Sequence, residues 1–213
     1  MNFERLLQLV GDEPVFESTL LLAGNVKPAA VRLQLTRWLK AGRIYRLRRG
    51  LYALAPPYQK VRPHAYVIAN RLLRASYVSC QSALVNYGLI PEFVLATVSV
   101  STLRPAFWET PLGVFQFRHI QQDLFRGYVL TDLGHRQQAF IATPEKALLD
   151  LIYLHPGSDA PGYLRELRLQ NLERLNLDEL DRQAAFYNSP KLRRAVEGIA
   201  RLVQIEIEEY VSM

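Results

Sequence analysis

Arginines cluster in one short segment of the chain, residues 42–54, with the sequence GRIYRLRRGLYAL. Guanidinium groups bind phosphates through charge-assisted hydrogen bonds, so such a cluster suits a nucleic-acid backbone or a minor groove. Arg48 and Arg49 stand beside Gly50, which can supply the positive φ of a tight turn between two short β-prone runs. Because packing at such a turn does not call for a cation, we expect these two arginines to contact nucleic acid.

The segment before this hairpin, residues 28–41, has the pattern of an amphipathic helix that begins at Pro28 and ends at Gly42. A helix followed by a cationic hairpin is typical of a winged helix-turn-helix, a DNA-binding module. We expect the helix to read bases from its exposed N-terminal half and the hairpin to hold phosphates. The candidate DNA-binding residues are Lys27, Ala29, Ala30, Arg32, Leu33, Gln34, Arg37, Lys40, Arg43, Arg46, Arg48 and Arg49.

Within this set, the two alanines and Leu33 suit thymine methyl groups, and Gln34 and Arg37 suit hydrogen bonds to base edges. Alternatives stay open for three members. Leu33 is equally compatible with an exposed apolar residue or a dimer contact, and Arg32 and Lys40 with a solvated helix face.

The basic charge is concentrated at the same end of the chain. Residues 1–62 hold eleven basic and four acidic residues, a net charge of +7, whereas the remainder holds fifteen basic and sixteen acidic residues, a net charge of −1. This asymmetry favours one nucleic-acid-binding module attached to a module with a different role. The alternative is a solvated basic surface without a partner.

Periodicity predicts an α+β protein in two parts. The first, residues 1–55, is predicted as a winged helix-turn-helix domain with helices near 3–10, 17–23 and 28–41. Residues 56–62, which contain two prolines, are predicted as a linker. Residues 63–213 are predicted as an α+β domain with a mixed sheet followed by C-terminal helices. Its strands are expected near 76–79, 97–102, 113–120, 128–131 and 138–141, and its helices near 63–74, 81–87, 144–154, 161–170, 178–187 and 190–210.

Catalytic and cofactor motifs are weak or missing in the sequence. The four histidines are far apart and no paired Cys or His has ligand spacing, so we expect no metal site. Neither glycine-rich phosphate-loop motif occurs, and we expect no cofactor and no catalytic residue. Gly157-Ser158 is expected to be a surface turn. Glu92, Glu145 and Asp150 are expected to be helix caps, surface residues or ion-pair partners.

The single cysteine, Cys80, cannot form an intramolecular disulfide and fits a reducing cytoplasm. It is expected to be a small buried apolar residue rather than a nucleophile. The sequence contains no long apolar stretch of the kind that crosses a membrane. We therefore expect a cytoplasmic protein without a membrane partner.

Several segments, in order along the chain, resemble a known family. They are residues 14–52 with the GRIYR and RGLY pieces, residues 77–91 (YVSCQSALVNYGLIP) and residues 142–150 (ATPEKALLD). Together these segments are similar to the AbiEi-type antitoxins of abortive-infection (type IV) toxin–antitoxin systems, which act in phage defence. No single piece is specific, but the ordered set is.

The resemblance implies a transcriptional autoregulator that binds double-stranded DNA at repeats in the promoter of its own operon. A dimer on the DNA is one arrangement that such repeats allow. The resemblance also implies a C-terminal domain that counters a nucleotidyltransferase toxin, with direct contact left open. Two alternatives are a stand-alone winged-helix regulator and a nucleic-acid-processing enzyme. For the enzyme, the candidate acids are Asp150, Asp178 and Asp181.

Overall fold

The computed structural model describes residues 2–22, 26–91 and 95–211, with side chains described as far as residue 204. The N-terminal elements are two helices, one 3₁₀ helix and a small antiparallel sheet. In chain order they are α1 (Phe3–Val10), β1 (Phe16–Glu17), the 3₁₀ helix Ser18–Leu22, α2 (Pro28–Lys40), β2 (Ile44–Arg48) and β3 (Leu51–Leu54).

Local signals account for both α-helices. Asn2 caps α1 by accepting a hydrogen bond from the Arg5 backbone N–H at 3.0 Å, and Gly11 ends it with φ of 57°. Helix α2 begins at Pro28, as predicted, and buries Val31, Leu35 and Trp38.

The prediction of an α-helix near residues 17–23 is wrong. Phe16 and Glu17 instead form β1, which pairs with β3, and only a 3₁₀ helix follows. The backbone N–H of Ser18 donates to the Gly50 carbonyl at 2.9 Å, so pairing with the hairpin overrides the local helical pattern. The predicted end of this helix, residues 23–25, lies outside the described residues.

Strand β3 of the hairpin is buried on both faces. Along β3, Tyr52 and Leu54 belong to a small core with α1 and α2, whereas Leu51 and Ala53 belong to the larger core of the rest of the chain. Successive residues of a strand point to opposite faces, so all four residues of β3 are buried. The hairpin is therefore a layer shared by two cores.

The larger part of the chain contains six strands and six α-helices within the described residues. In order they are α3 (Ala65–Leu72), β4 (Ser76–Val78), α4 (Cys80–Asn86), β5 (Ala96–Ser101), β6 (Ala106–Thr110), β7 (Gly113–His119), β8 (Tyr128–Asp132), β9 (Gln138–Ala142), α5 (Pro144–Leu154), α6 (Pro161–Glu166), α7 (Leu177–Ala185) and α8 (Pro190–Val211). The predicted α+β class and mixed sheet are confirmed.

These strands form one sheet with the order β6-β7-β5-β4-β9-β8. The pairs β5–β7 and β4–β9 are parallel and the other pairs are antiparallel. Strand β6 was not predicted. It is an edge strand whose Phe107 is 59% exposed, so its sequence carries little of the apolar alternation that identifies a strand.

Helix α5 lies in the larger core, with its residues from Glu145 to Ile152 buried. The Thr143 hydroxyl accepts from the Lys146 backbone N–H at 3.3 Å and so caps the helix that was expected near 144–154. The helix predicted near 161–170 is shorter, since α6 ends at Glu166 and a 3₁₀ helix follows at Leu172–Arg174. Among the described residues, no helix is both long enough and apolar enough to cross a bilayer.

Candidate functional site

The exposed face of α2 is one half of the candidate site. Its apolar face lies against the small core, which directs the opposite face to solvent. Leu33 is 52% exposed. The other predicted residues on this face are also exposed, namely Lys27, Ala29, Ala30, Arg32, Arg37 and Lys40, whereas Gln34 is half-buried.

The N-terminal half of this face is open to a ligand. Lys27 occupies the N-cap position, and its ammonium group, which has no acceptor, makes no capping hydrogen bond there. In the described part of the chain, the Arg32 side chain makes a single, long hydrogen bond, 3.4 Å, to the Pro28 carbonyl. Arg37 and Lys40 lie in the last turn, where the helix dipole by itself favours cations. The stronger candidates are thus near Pro28.

The hairpin turn is the other half of the site. An open cleft of about 500 Å³ separates the start of α2 from the turn, and Arg32 and Arg49 both line it. We call it the α2–hairpin cleft. Gly50 has φ of 82°, as the turn requires, and Arg49 is exposed beside it. The fold therefore places cations from two separate elements on one concave surface.

Arg48 behaves differently from its neighbour. Its Nε donates to the Leu72 carbonyl at 3.0 Å, and Nη2 donates to the Arg71 carbonyl at 3.3 Å. These carbonyls are at the end of α3, where backbone acceptors lack helical partners and a cation is favoured. The expectation that packing requires no cation at residue 48 is wrong. The Arg48 side chain connects the hairpin to the larger part of the chain through these hydrogen bonds.

Two further hairpin arginines, Arg43 and Arg46, differ in the same way, since one packs within the protein and the other is exposed. The Arg43 guanidinium lies over the Phe3 ring, 4.9 Å from its centroid, and is half-buried. Arg46 is exposed on β2, and its side chain makes no hydrogen bond or ion pair within the described residues. Arg46 and Arg49 are therefore the hairpin cations best placed to meet a ligand.

A buried polar cluster lies in the larger core, where sequence reasoning assigned no site. Its members, here called the Lys146 cluster, are Tyr77, Ser79, Lys146, Asp150 and Tyr187. The Lys146 ammonium lies 2.7 Å from Asp150 Oδ1, and the hydroxyls of Tyr77 and Ser79 donate to Oδ2 at 3.0 and 2.7 Å. Asp150 is an ion-pair partner, as one of its expected roles, but it is fully buried.

Every donor of the ammonium in this cluster has an acceptor. Lys146 Nζ donates to Asp150, to the Leu124 carbonyl at 2.8 Å and to the Tyr187 hydroxyl at 2.5 Å. Burial lowers the pKa of Lys146, and the Asp150 charge opposes that shift. Burial, reinforced by Asp150, raises the pKa of Tyr77 and of Tyr187, which keeps both as hydroxyl donors. The arrangement is that of an internal ion pair.

The sequence contains one signal for this cluster. Lys146 and Asp150 are four residues apart in a largely apolar helix, which places both on one face. The hydroxyl partners come from residues 77, 79 and 187, and no local pattern connects these positions to the helix.

Other residues considered from the sequence are structural or solvated. Cys80 is buried, as expected, and burial raises the pKa of its thiol. Ser158 is in a turn but is fully buried, with its Oγ 2.7 Å from both the Ile152 and the His155 carbonyl oxygen, so the expected surface turn is wrong for this side chain. Glu145 is buried and accepts from the Asn176 backbone N–H at 3.0 Å. Glu92 lies outside the described residues.

Asp178 and Asp181 are exposed on α7, and no group of His, Cys, Asp or Glu in the described part of the chain is arranged to hold a metal ion. No protein-family model matches the sequence, and a search of curated proteins finds no significant match. The interpretation of the site depends on the residues and their geometry.

Proposed function

We propose that the chain is a DNA-binding protein whose N-terminal residues form a winged helix-turn-helix. The observation that carries this proposal is the α2–hairpin cleft, where Arg32 from the helix and Arg49 from the turn border one open surface. A duplex carries phosphates on both sides of each groove. Cations on α2 and on the hairpin turn can therefore contact the phosphates while the exposed face of α2 enters the groove. The small residues Ala29 and Ala30 leave that face accessible to base edges.

Within that class, we propose a transcriptional autoregulator that serves as the antitoxin of a type IV toxin–antitoxin pair and counters a nucleotidyltransferase toxin. The support is the family-like order of the segments at residues 14–52, 77–91 and 142–150. The last two segments supply Tyr77, Ser79, Lys146 and Asp150 of the buried cluster. The similarity of these segments is therefore evidence for a similar core rather than for a similar function. The antitoxin role therefore needs a test separate from the DNA-binding role.

A role without catalysis is part of the proposal. Asp150, the acid on which a nuclease-like alternative would most depend, is fully buried and paired with Lys146. Asp178 and Asp181 are exposed on one short helix without converging ligands among the described residues. Both proposed roles place the protein in the cytoplasm with its operator DNA.

The DNA-binding role is tested by titrating the full chain against labelled DNA from upstream of its gene at several salt concentrations. If five or six cations meet phosphates, log affinity falls with log salt with a slope of about −5. Replacing both cleft arginines (Arg32→Gln/Arg49→Gln) should make that slope shallower by about 2.

The matched control is Arg104→Gln/Arg193→Gln, which removes the same charge from exposed arginines whose side chains make no hydrogen bond or ion pair in the described structure. It should bind as the natural protein does. An equal loss of DNA affinity in both variants would show that net charge, rather than the cleft, causes the effect. Absent or salt-insensitive binding would exclude the DNA-binding role.

The antitoxin role is tested on the reading frame downstream of this gene. A nucleotidyltransferase there, with Gly-Ser followed by Asp-x-Asp, should arrest growth when expressed alone and lose that effect when this chain is co-expressed. An unrelated downstream gene, or no rescue by a chain that binds its operator, would favour the stand-alone regulator.

A further inference from the structure

A second cavity lies between the N-terminal segment at residues 13–15, the end of α3 and the strands β8 and β9 of the larger part. It has a volume of about 400 Å³, within the range of small-molecule sites. We call it the seam pocket. Residues that carry the argument below are Arg71, Arg74, Leu130, Arg136 and Phe140, all of which line it.

Three arginines from two separate parts of the chain line this pocket. Arg71 and Arg74 lie at the end of α3, and Arg136 lies in the turn between β8 and β9. Arg74 is paired with Glu17. Neither the Arg71 nor the Arg136 guanidinium has a hydrogen bond or an ion pair within the described residues.

Two unpaired guanidiniums in one concave site are suited to an anion, because each can bind two oxygens of a phosphate at once. The acidic residue of the lining, Glu13, forms no ion pair with them. With Arg74 neutralised by Glu17, the pocket keeps a net positive charge. That charge favours an anionic ligand.

The floor of the pocket is apolar. Leu130 and Phe140 are cross-strand neighbours in β8 and β9, and they remain 54% and 40% exposed. Exposed aromatic and aliphatic side chains beside unpaired cations are suited to a planar ring attached to a charged group.

We propose that the seam pocket binds a small organic phosphate that carries a planar ring, of which a mononucleotide is the representative. The phosphate lies between Arg71 and Arg136, and the ring lies on Phe140. This site is separate from the α2–hairpin cleft, so it holds or fails whether or not the chain binds DNA.

The experiment is isothermal titration of the full chain with a purine mononucleotide, the corresponding nucleoside and ribose 5-phosphate. The mononucleotide should bind saturably and at least about tenfold more tightly than either fragment, since only it uses both the cations and the apolar floor. Arg71→Gln/Arg136→Gln should weaken binding by at least about tenfold. Phe140→Leu should weaken it less.

Three controls assign the effect to this pocket. Arg104→Gln/Arg193→Gln matches the charge change, Phe107→Leu matches the aromatic change at another exposed strand position, and Arg32→Gln/Arg49→Gln alters the α2–hairpin cleft. All three should retain the natural affinity, and circular dichroism should be unchanged for every variant that is compared.

The proposal is overturned by absence of saturable binding at millimolar mononucleotide or by equal binding of ribose 5-phosphate. It is also overturned if the Arg71/Arg136 variant and its charge-matched control lose affinity equally. Loss confined to the Arg32/Arg49 variant would assign nucleotide binding to the DNA-binding surface instead.

Discussion

The cations of the N-terminal hairpin and the lysine of the larger core meet opposite environments. Arg46 and Arg49 project into solvent without partners in the described structure, whereas the Lys146 ammonium is fully enclosed and has an acceptor for each of its three hydrogens. A charged side chain that the fold leaves unpaired is available to a ligand, and one that the fold satisfies is part of the core. The partners of a residue, rather than its type, separate the two cases.

Arg48 and Arg49 present the same contrast between adjacent residues. Both stand at the hairpin turn, yet Arg48 donates to the end of α3 while Arg49 borders the α2–hairpin cleft. A double substitution of the two would mix loss of a structural bond with loss of a ligand contact. Tests of DNA binding are clearer with Arg49 alone or with Arg32.

The largest expected effect comes from breaking the buried ion pair. Lys146→Met leaves the Asp150 carboxylate buried without its cation, and we expect the free energy of unfolding to fall by about 3–5 kcal/mol. The matched control is Lys60→Met, because the Lys60–Asp12 pair is more than 60% exposed on both sides and should be worth less than about 1 kcal/mol. Urea titration of both variants measures the difference, and equal losses would contradict the distinction between the two environments.

The next effect concerns the two neighbouring arginines. Arg48→Ala removes charged donors from the carbonyls at the end of α3, and we expect a loss of about 1.5–3 kcal/mol in unfolding free energy. Arg49→Ala should change stability by less than about 0.5 kcal/mol, as for an ordinary surface site. The same denaturant titration measures both, and a larger loss at Arg49 would reverse their assigned roles.

A smaller, pH-dependent effect is expected at His64, which caps α3. Its Nδ1 accepts from the Tyr66 backbone N–H at 3.2 Å, and burial lowers the pKa of the imidazole below its usual value of 6.5. The unfolded chain therefore binds a proton more readily, so stability falls as pH drops below about 6.5 and levels off below the folded-state pKa.

The variant His64→Asn isolates this effect, since asparagine can cap the helix without titrating over that range. Lowering the pH from 7.5 to 5.5 should reduce the melting temperature of the natural protein more than that of the variant. Parallel loss in both proteins would show that His64 is not the responsible group.

The smallest expected difference tests the shared hairpin. The chain has two tryptophans, Trp38 in the small core and Trp108 beside Phe117 on the sheet of the larger part. Because Leu51 and Tyr52 of one strand belong to different cores, we expect Trp38→Phe and Trp108→Phe variants to report the same unfolding midpoint, after correction for their own stability. Separate transitions within one variant, seen by fluorescence and by circular dichroism, would indicate two independent units.

Much of the fold follows from local patterns. The 3.6-residue periodicity, the N-caps Asn2 and Thr143 and the first-turn Pro28 place α1, α2 and α5, and Gly50 places the hairpin turn. The missed elements have a physical reason. Strand β6 takes its structure from pairing with β7, and Phe16 and Glu17 take theirs from pairing with β3, so neither strand is specified by its own sequence.

The sequence by itself determined where cations are concentrated, which segments are amphipathic and where the chain turns, because these depend on neighbours within a few residues. Only the tertiary structure decided which charges have partners. The acceptors of Arg48 at the end of α3 are 23 and 24 residues away in the sequence. Asp150 accepts hydrogen bonds from the hydroxyls of Ser79 and Tyr77, which precede it by 71 and 73 residues. Burial and hydrogen-bond satisfaction are properties of such distant contacts, and they separate the exposed cations of the candidate site from the enclosed cation of the core.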